Sequence, residues 1–224
     1  KCLLDFRFPV NRVSGNLMSN CQLYLLTPPR IDAGFAELLD SVLAEGVASV
    51  LQIRLKDQPE NQLPGLIPPL VKAAKRHGVS VLMNDRPDLA VHYAMDGVHI
   101  GQEDAPYAEA RAAVGKTGIV GVTCHDSRHL AMTAAEKGAD YVAFGAMFPT
   151  ATKSPKASAS VELIEWWSEV FEVPCVAIGG ITPENASPVI EAGADFIAVS
   201  GGVWNHPAGP VEAVRAFGAL LSAR

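Results

Sequence analysis

Polar and apolar side chains alternate in Gln52-Ile-Arg54-Leu-Lys56-Asp57, the spacing that puts every second residue of an extended chain on one face. If that face is buried, Arg54 and Lys56 need a partner, because an unpaired charge away from water is too costly to persist. A bound anion would satisfy them. So would an internal ion pair with Asp57 or Glu60.

Two further segments each place a carboxylate just beyond an apolar run: Met83-Asn84-Asp85-Arg86 and His99-Ile-Gly-Gln102-Glu103-Asp104. Carboxylates from adjacent loops are the usual protein ligands of Mg²⁺, which keeps several waters and completes its shell with substrate phosphates. Taken singly, Asp85 or Asp104 would serve equally well as a helix N-cap. His99 alternates with Val98 and Ile100, so it points inward, either as a hydrogen-bonded core residue or toward a ligand.

Hydroxyls and glycines follow. Gly121-Val-Thr123-Cys-His125 offers a hydroxyl to an anion, and His125 either acts as a base or orients the loop. Thr150, Thr152 and Lys153 fall within four residues of Pro149-Thr-Ala-Thr-Lys153, a phosphate clamp or a solvated loop. Paired glycines at Gly179-Gly180 and Gly201-Gly202, with Thr182 and Ser200 beside them, let backbone N–H groups approach a phosphate. Together these make a metal site, a cluster of three cations (Arg54, Lys56, Lys153) and a separate glycine-lined phosphate seat, which suits transfer between two phosphorylated partners. No nucleophile elbow, Walker loop or dinucleotide fingerprint is present.

These residues all stand at the ends of short β-rich runs, which identifies the elements that must hold them. The runs are Gln22–Leu26, Ser49–Ile53, Ser80–Met83, Gly97–Ile100, Ile119–Val122, Tyr141–Phe144, Cys175–Ile178 and Phe196–Val199. Between them lie stretches of helical period, among them Phe35–Ala44, Leu66–His77, Leu130–Lys137, Pro183–Glu191 and Pro210–Leu221. Gly46, Gly78, Gly138 and Gly193 stand just before the next strand, where a left-handed helix cap is needed. EKGADYVAFG and EAGADFIAVS repeat one βα module. Eight such units predict a single closed (β/α)8 TIM barrel, and in that fold the strand C-termini carry function. Two stretches, Asp57 to Pro69 and Pro149 to Ser160, break the rhythm and read as long loops over the site or as idle surface.

A chain of 224 residues, 49% hydrophobic, fits one such domain. We read residues 1–20 as a lead-in segment and 21–224 as the catalytic barrel. The net charge of −6 argues against a nucleic-acid surface and leaves small molecules as the partners; assembly as a homo-oligomer stays open. Cys2, Cys21, Cys124 and Cys175 form no CxxC pair, so a reducing, cytoplasmic setting is expected. No apolar run approaches the ~20 residues that span a bilayer, so no membrane partner is expected.

QIRLKD, MNDRPDLA, DGVHIGQED, GVTCHD, FGAMFPTATK, AIGGITPENA and IAVS, in that order, resemble the thiamine phosphate synthase family from about Gln22 to Arg224. The resemblance implies a Mg²⁺-assisted transferase that joins an aminopyrimidine pyrophosphate to a thiazole phosphate. It implies Asp85 and Asp104 as metal ligands, and Arg54, Lys56, Asn84, Thr123 and Lys153 gripping the pyrophosphate. Gln52 and His99 would face the pyrimidine, with Thr150, Thr152, Gly180 and Ser200 under the thiazole phosphate. In such enzymes the bond to pyrophosphate breaks first, so the protein's part is positioning and stabilisation of the leaving charge.

Leu55 stands where the family usually has an acidic residue, Ala146 where Pro is common, Thr123 where Ser is frequent, and Val-Ser-Gly-Gly-Val-Trp204 replaces the usual VSAI. Leu55 is expected to point away from the interior. Two rivals remain. A thiazole tautomerase resembles this family but typically lacks the metal-binding aspartates and the Thr-x-Thr-Lys loop. A non-catalytic phosphometabolite-binding barrel would keep the glycine seat while tolerating loss of Asp85 or Lys153.

Overall fold

The computed structural model describes residues 21–149 and 158–223. Eight parallel strands close on themselves in sequence order, with β8 pairing back onto β1. The strands are β1 (Gln22–Leu26), β2 (Ala48–Ile53), β3 (Ser80–Asn84) and β4 (Gly97–Ile100), then β5 (Ile119–His125), β6 (Tyr141–Gly145), β7 (Cys175–Ile178) and β8 (Phe196–Val199). Helices α1 (Phe35–Leu43), α2 (Leu63–Arg76), α3 (Pro87–His92), α4 (Tyr107–Val114) and α5 (Arg128–Glu136) connect the first six strands. They are followed by α6 (Val161–Val170), α7 (Ser187–Glu191), the short α8 (Gly201–Trp204) and α9 (Pro210–Ser222). This is the single (β/α)8 barrel that the eight runs predict. The lead-in assigned to residues 1–20 lies outside the described residues.

Alternation along the strands builds two cores. Side chains on one face, including Tyr24, Leu26, Val50, Leu82, Tyr141, Val176, Phe196 and Ala198, fill the barrel interior. Those on the other face, such as Leu23, Leu25, Leu51, Ile53 and Val81, pack under the helices with Leu39, Ile67, Leu70, Trp167 and Phe217. Leu55 is buried in this outer core, pointing away from the interior as expected.

The glycines at the helix ends adopt positive φ: 70° at Gly46, 69° at Gly78, 91° at Gly138 and 89° at Gly193. The repeated module has a physical basis at the bottom of the barrel. Asp96, Asp140 and Asp195 each stand just before an even-numbered strand. Their carboxylates accept from Val81 N at 2.7 Å and from Val120 N and Cys175 N, both at 2.8 Å. Each aspartate thus ties one strand to the start of its neighbour.

Two expectations need correction. The proline-rich stretch from Asp57 to Pro69 is no long loop: a 3₁₀ turn at Glu60–Gln62 leads into α2 at Leu63. Pro64 sits in the first turn, where its missing N–H is no loss. Pro68 and Pro69 forgo helical bonds inside α2, but the helix buries Leu63, Ile67, Leu70 and Val71, and tertiary packing of an apolar stripe decides helix formation more than propensity does. Conversely, α7 begins at Ser187 rather than Pro183. The Asn185 side chain accepts from Thr182 N at 2.8 Å and donates to Gly180 O at 2.9 Å, a local bonding pattern that holds those residues in a turn instead.

Candidate active site

Strands β2, β3, β4, β5, β7 and β8 end in the residues singled out from sequence, and the barrel brings those ends to one mouth. Of the thirteen candidates, ten line one cavity of about 520 Å³: Gln52, Arg54, Lys56, Asn84, Asp85, His99, Asp104, Thr123, Gly180 and Ser200. Thr150, Thr152 and Lys153 lie outside the described residues.

Neither Arg54 nor Lys56 is tied up in an internal pair with Asp57 or Glu60. Glu60 pairs with Arg86, and Lys56 Nζ lies 2.6 Å from Asp85 Oδ2. Among the described residues the Arg54 guanidinium has no hydrogen bond or ion pair; only its backbone N–H is engaged, donating to the buried Thr27 Oγ1 at 2.8 Å. A half-buried guanidinium aimed into a cavity in this way suits an anion.

The carboxylates do not cap helices. The N-cap positions of α3 and α4 are Arg86 and Pro106, and neither makes a side-chain cap. Asp85 instead has φ of 63°, a left-handed conformation that costs a non-glycine residue energy and that gathers at functional sites. Its N–H donates to His99 O at 2.7 Å, which locks the turn. Asp104 accepts from Gly101 N at 2.8 Å; a Cβ at residue 101 would lie 2.6 Å from that carboxylate, so a larger residue there would displace the Asp104 side chain. Burial, then the hydrogen-bonding Asp85 carboxyl, raises the Asp104 pKa above its ordinary value.

Two acidic groups driven together in this way fit a divalent cation, which would relieve their repulsion. Among the described residues no group of three or more His, Cys, Asp or Glu is placed to hold a metal. The pair would therefore supply part of a shell, with water and phosphate oxygens completing it, as suits Mg²⁺.

Beneath the cavity runs a polar chain that the sequence reading missed. Gln52 Nε2 donates to Tyr24 Oη at 2.7 Å, Tyr24 Oη meets Tyr141 Oη at 2.9 Å, and Tyr141 Oη meets His99 Nδ1 at 2.7 Å. His99 Nε2 then meets Thr123 Oγ1 at 2.7 Å. Gln52 and His99 are buried, as are both phenols. Burial pushes the His99 imidazole down to about 4, against the pull of Asp104 and with help from Lys56. It also raises both phenols above the usual phenol range, so a neutral imidazole and two protonated hydroxyls form the chain. One sequence signal for Tyr141 existed in Gly121. A Cβ there would stand 1.9 Å from the Tyr141 ring, so the glycine in GVTCHD is the space that the phenol occupies.

The phosphate seat is also built from backbone. Gly180 has φ of 69°, and a Cβ there would fall 2.5 Å from Pro149 O, so only glycine lets the two loops meet. Ser200 follows β8 at the N-cap position of α8, and Gly201-Gly202 start that short helix instead of an open loop. Trp204 Nε1 anchors α8 by donating to Leu26 O at 2.6 Å. Thr27 and Asn205 also line the mouth; neither was flagged by the strand-end reading.

The profile of the thiamine monophosphate synthase family matches residues 23–203. The chain is 56% identical over 205 residues to a thiamine-phosphate synthase of Rhodospirillum centenum, covering 91% of this chain and 99% of that protein. It is 49% identical over 207 residues to one of Erythrobacter litoralis, covering 90% and 96%. Among solved structures, a thiamine phosphate pyrophosphorylase of Pyrococcus furiosus superposes with a TM-score of 0.80 at 29% identity, covering 93% of this chain and 98% of that one.

Proposed function

The chain belongs to the thiamine monophosphate synthase family, and from that premise we propose that its barrel mouth joins an aminopyrimidine pyrophosphate to a thiazole phosphate, releasing pyrophosphate. It is a transferase that forms thiamine phosphate. The observation that carries the reading is the convergence of ten candidate residues from six strand ends on one cavity.

The bond between the pyrimidine methylene carbon and the pyrophosphate oxygen breaks with its electrons leaving on oxygen. The ring's amino group stabilises the cation left behind, and the thiazole nitrogen then supplies the electron pair of the new C–N bond. No strong base is required, which agrees with a cavity lined by Arg54, Lys56 and the hydroxyls of Thr27, Thr123, Thr182 and Ser200. Arg54, Lys56 and the Thr123 hydroxyl take up the leaving charge, with Lys153, which lies outside the described residues, as the third cation of the set. Asn84 steadies the same group, Gln52 and His99 orient the pyrimidine, and Gly180 and Ser200, with Thr150 and Thr152, seat the thiazole phosphate. Asp85 and Asp104 would hold Mg²⁺, which when bound supplies Lewis-acid stabilisation of phosphate oxygens.

No described helix is long and apolar enough to cross a membrane. The free thiols of Cys21, Cys124 and Cys175 support a reducing, cytoplasmic setting, and the acidic net charge supports small-molecule rather than nucleic-acid partners.

The test is incubation of the protein with both phosphorylated substrates and Mg²⁺, scoring thiamine phosphate by fluorescence after oxidation. Product above the no-enzyme control is expected. Its absence with a folded protein would overturn the assignment.

A further inference from the structure

Asn185 stands behind the cavity wall, yet both ends of its side chain are tied to the segment that forms the phosphate seat. Its Oδ1 accepts from Thr182 N at 2.8 Å and its Nδ2 donates to Gly180 O at 2.9 Å. A backbone N–H only donates and a carbonyl only accepts, so these two partners fix which end of the amide is the oxygen. Gly180, Ile181 and Thr182 line the cavity, whereas Asn185 does not.

The bond to Gly180 O sets the direction of the next backbone N–H. In a planar trans peptide the C=O and the N–H point opposite ways. With Gly180 O drawn back onto Asn185, the Ile181 N–H faces the other side, toward the cavity. Ile181 is only 2% exposed, and among the described residues neither its N–H nor that of Gly180 makes a hydrogen bond. A buried N–H normally has a partner, and a phosphate oxygen in the seat supplies one. The same peptide turned over would set carbonyl lone pairs against that oxygen and repel it.

We propose that Asn185 is a positioning residue for the acceptor substrate: it holds the Gly180 carbonyl away from the seat so that the Ile181 N–H is presented to the thiazole phosphate. This rests on the reaction assigned above. Because Asn185 also grips Thr182 N, the Gly180–Ile181 peptide is clamped from a turn that is itself closed by Asn185 N donating to Thr182 O at 3.2 Å. The donor is thus oriented before substrate arrives, and no reorganisation is spent on binding.

Asn185→Ala removes both side-chain bonds. Asn185→Asp keeps the acceptor for Thr182 N, and so the turn, but sets a carboxylate oxygen against Gly180 O in place of the donor. All proteins are compared at about 0.5 M salt, where the added charge is screened within a few ångströms. Both variants should raise KM for the thiazole phosphate about tenfold, the scale of one hydrogen bond to a charged group. Their kcat and their KM for the pyrimidine pyrophosphate should stay within about twofold of wild type, as where ground-state binding alone is lost. In ¹⁵N–¹H spectra, saturating thiazole phosphate should move the Ile181 amide proton downfield in the wild type and less in either variant. A merely structural role in the turn requires instead that Asn185→Asp bind thiazole phosphate as the wild type does, or that both KM values rise together. Either result, or an Ile181 amide proton that does not move in the wild type, overturns the proposal. Should Asn185→Ala fail to fold, the same comparison is complete with Asn185→Asp. The amide shift is read without turnover, so a wild-type protein that shows it and makes no thiamine phosphate overturns the reaction and leaves the role of Asn185 in phosphate binding standing.

Discussion

The ammonium of Lys56 lies 2.6 Å from the Asp85 carboxylate, on the side chain that also faces Asp104. A monovalent cation thus stands where two acids converge, and the two residues come from the ends of different strands. On the reading proposed above, the same two carboxylates would hold Mg²⁺, with Lys56 beside them.

Asp85→Asn and Asp104→Asn should therefore each lower Mg²⁺-supported turnover by roughly 100-fold or more, the scale of losing a main stabiliser of developing charge, while the folded baseline by circular dichroism stays unchanged. Full turnover by the wild-type protein in excess EDTA would remove the metal from the account.

The left-handed backbone at Asp85, with φ of 63°, separates stability from activity. Glycine accepts that conformation and alanine does not, at a difference of about 1 kcal/mol. Asp85→Gly should thus be more stable than Asp85→Ala by that amount in urea denaturation, although both lose turnover. Equal midpoints would show that the backbone there relaxes at no cost.

His99 makes stability depend on pH in a defined direction. Its pKa falls from 6.5 to about 4 on folding, so between those values the unfolded chain binds more protons. The stabilisation is complete above about pH 6.5 and is lost as pH falls through about 4, a change of roughly 3 kcal/mol. Denaturation curves at pH 7 and pH 4.5 should show a larger drop for the wild type than for His99→Gln. Parallel drops would mean that the imidazole is not held neutral.

Gly121→Ala should destabilise the barrel by about 3 kcal/mol, because the added Cβ would meet the Tyr141 ring at 1.9 Å in an interior that cannot expand. Pairing it with Tyr141→Ala should recover part of the loss. If the single substitution leaves the melting temperature within a degree of wild type, the ring does not sit where we describe it.

Local patterns made much of this protein legible. Short apolar, β-rich runs marked all eight strands, because each strand buries both faces and gives way to polar residues at its C-terminal end. The helix-end glycines were readable because the left-handed cap constrains a single residue. By the same logic the polar residues at the strand ends, from Gln52 to Ser200, could be named one by one. Where a local rule met a competing tertiary term it failed, as at Pro68 and Pro69, whose helix-breaking tendency yields to the buried stripe of α2.

What only the closed barrel decided is which of those residues meet. Tyr24 and Tyr141 are 117 positions apart, and no periodicity in either strand points to the other. Barrel closure fixes their distance, and burial then requires that each hydroxyl find a partner. A bound anion, or failing that Asp57 or Glu60 nearby in the chain, was the partner considered for Lys56; its carboxylate is Asp85 at the end of the neighbouring strand, because strand register rather than sequence separation sets who stands beside whom. Residue types and their faces are short-range properties of the chain, whereas the buried hydrogen-bonded chain and the paired acids arise from long-range contacts that exist only once β8 has closed onto β1.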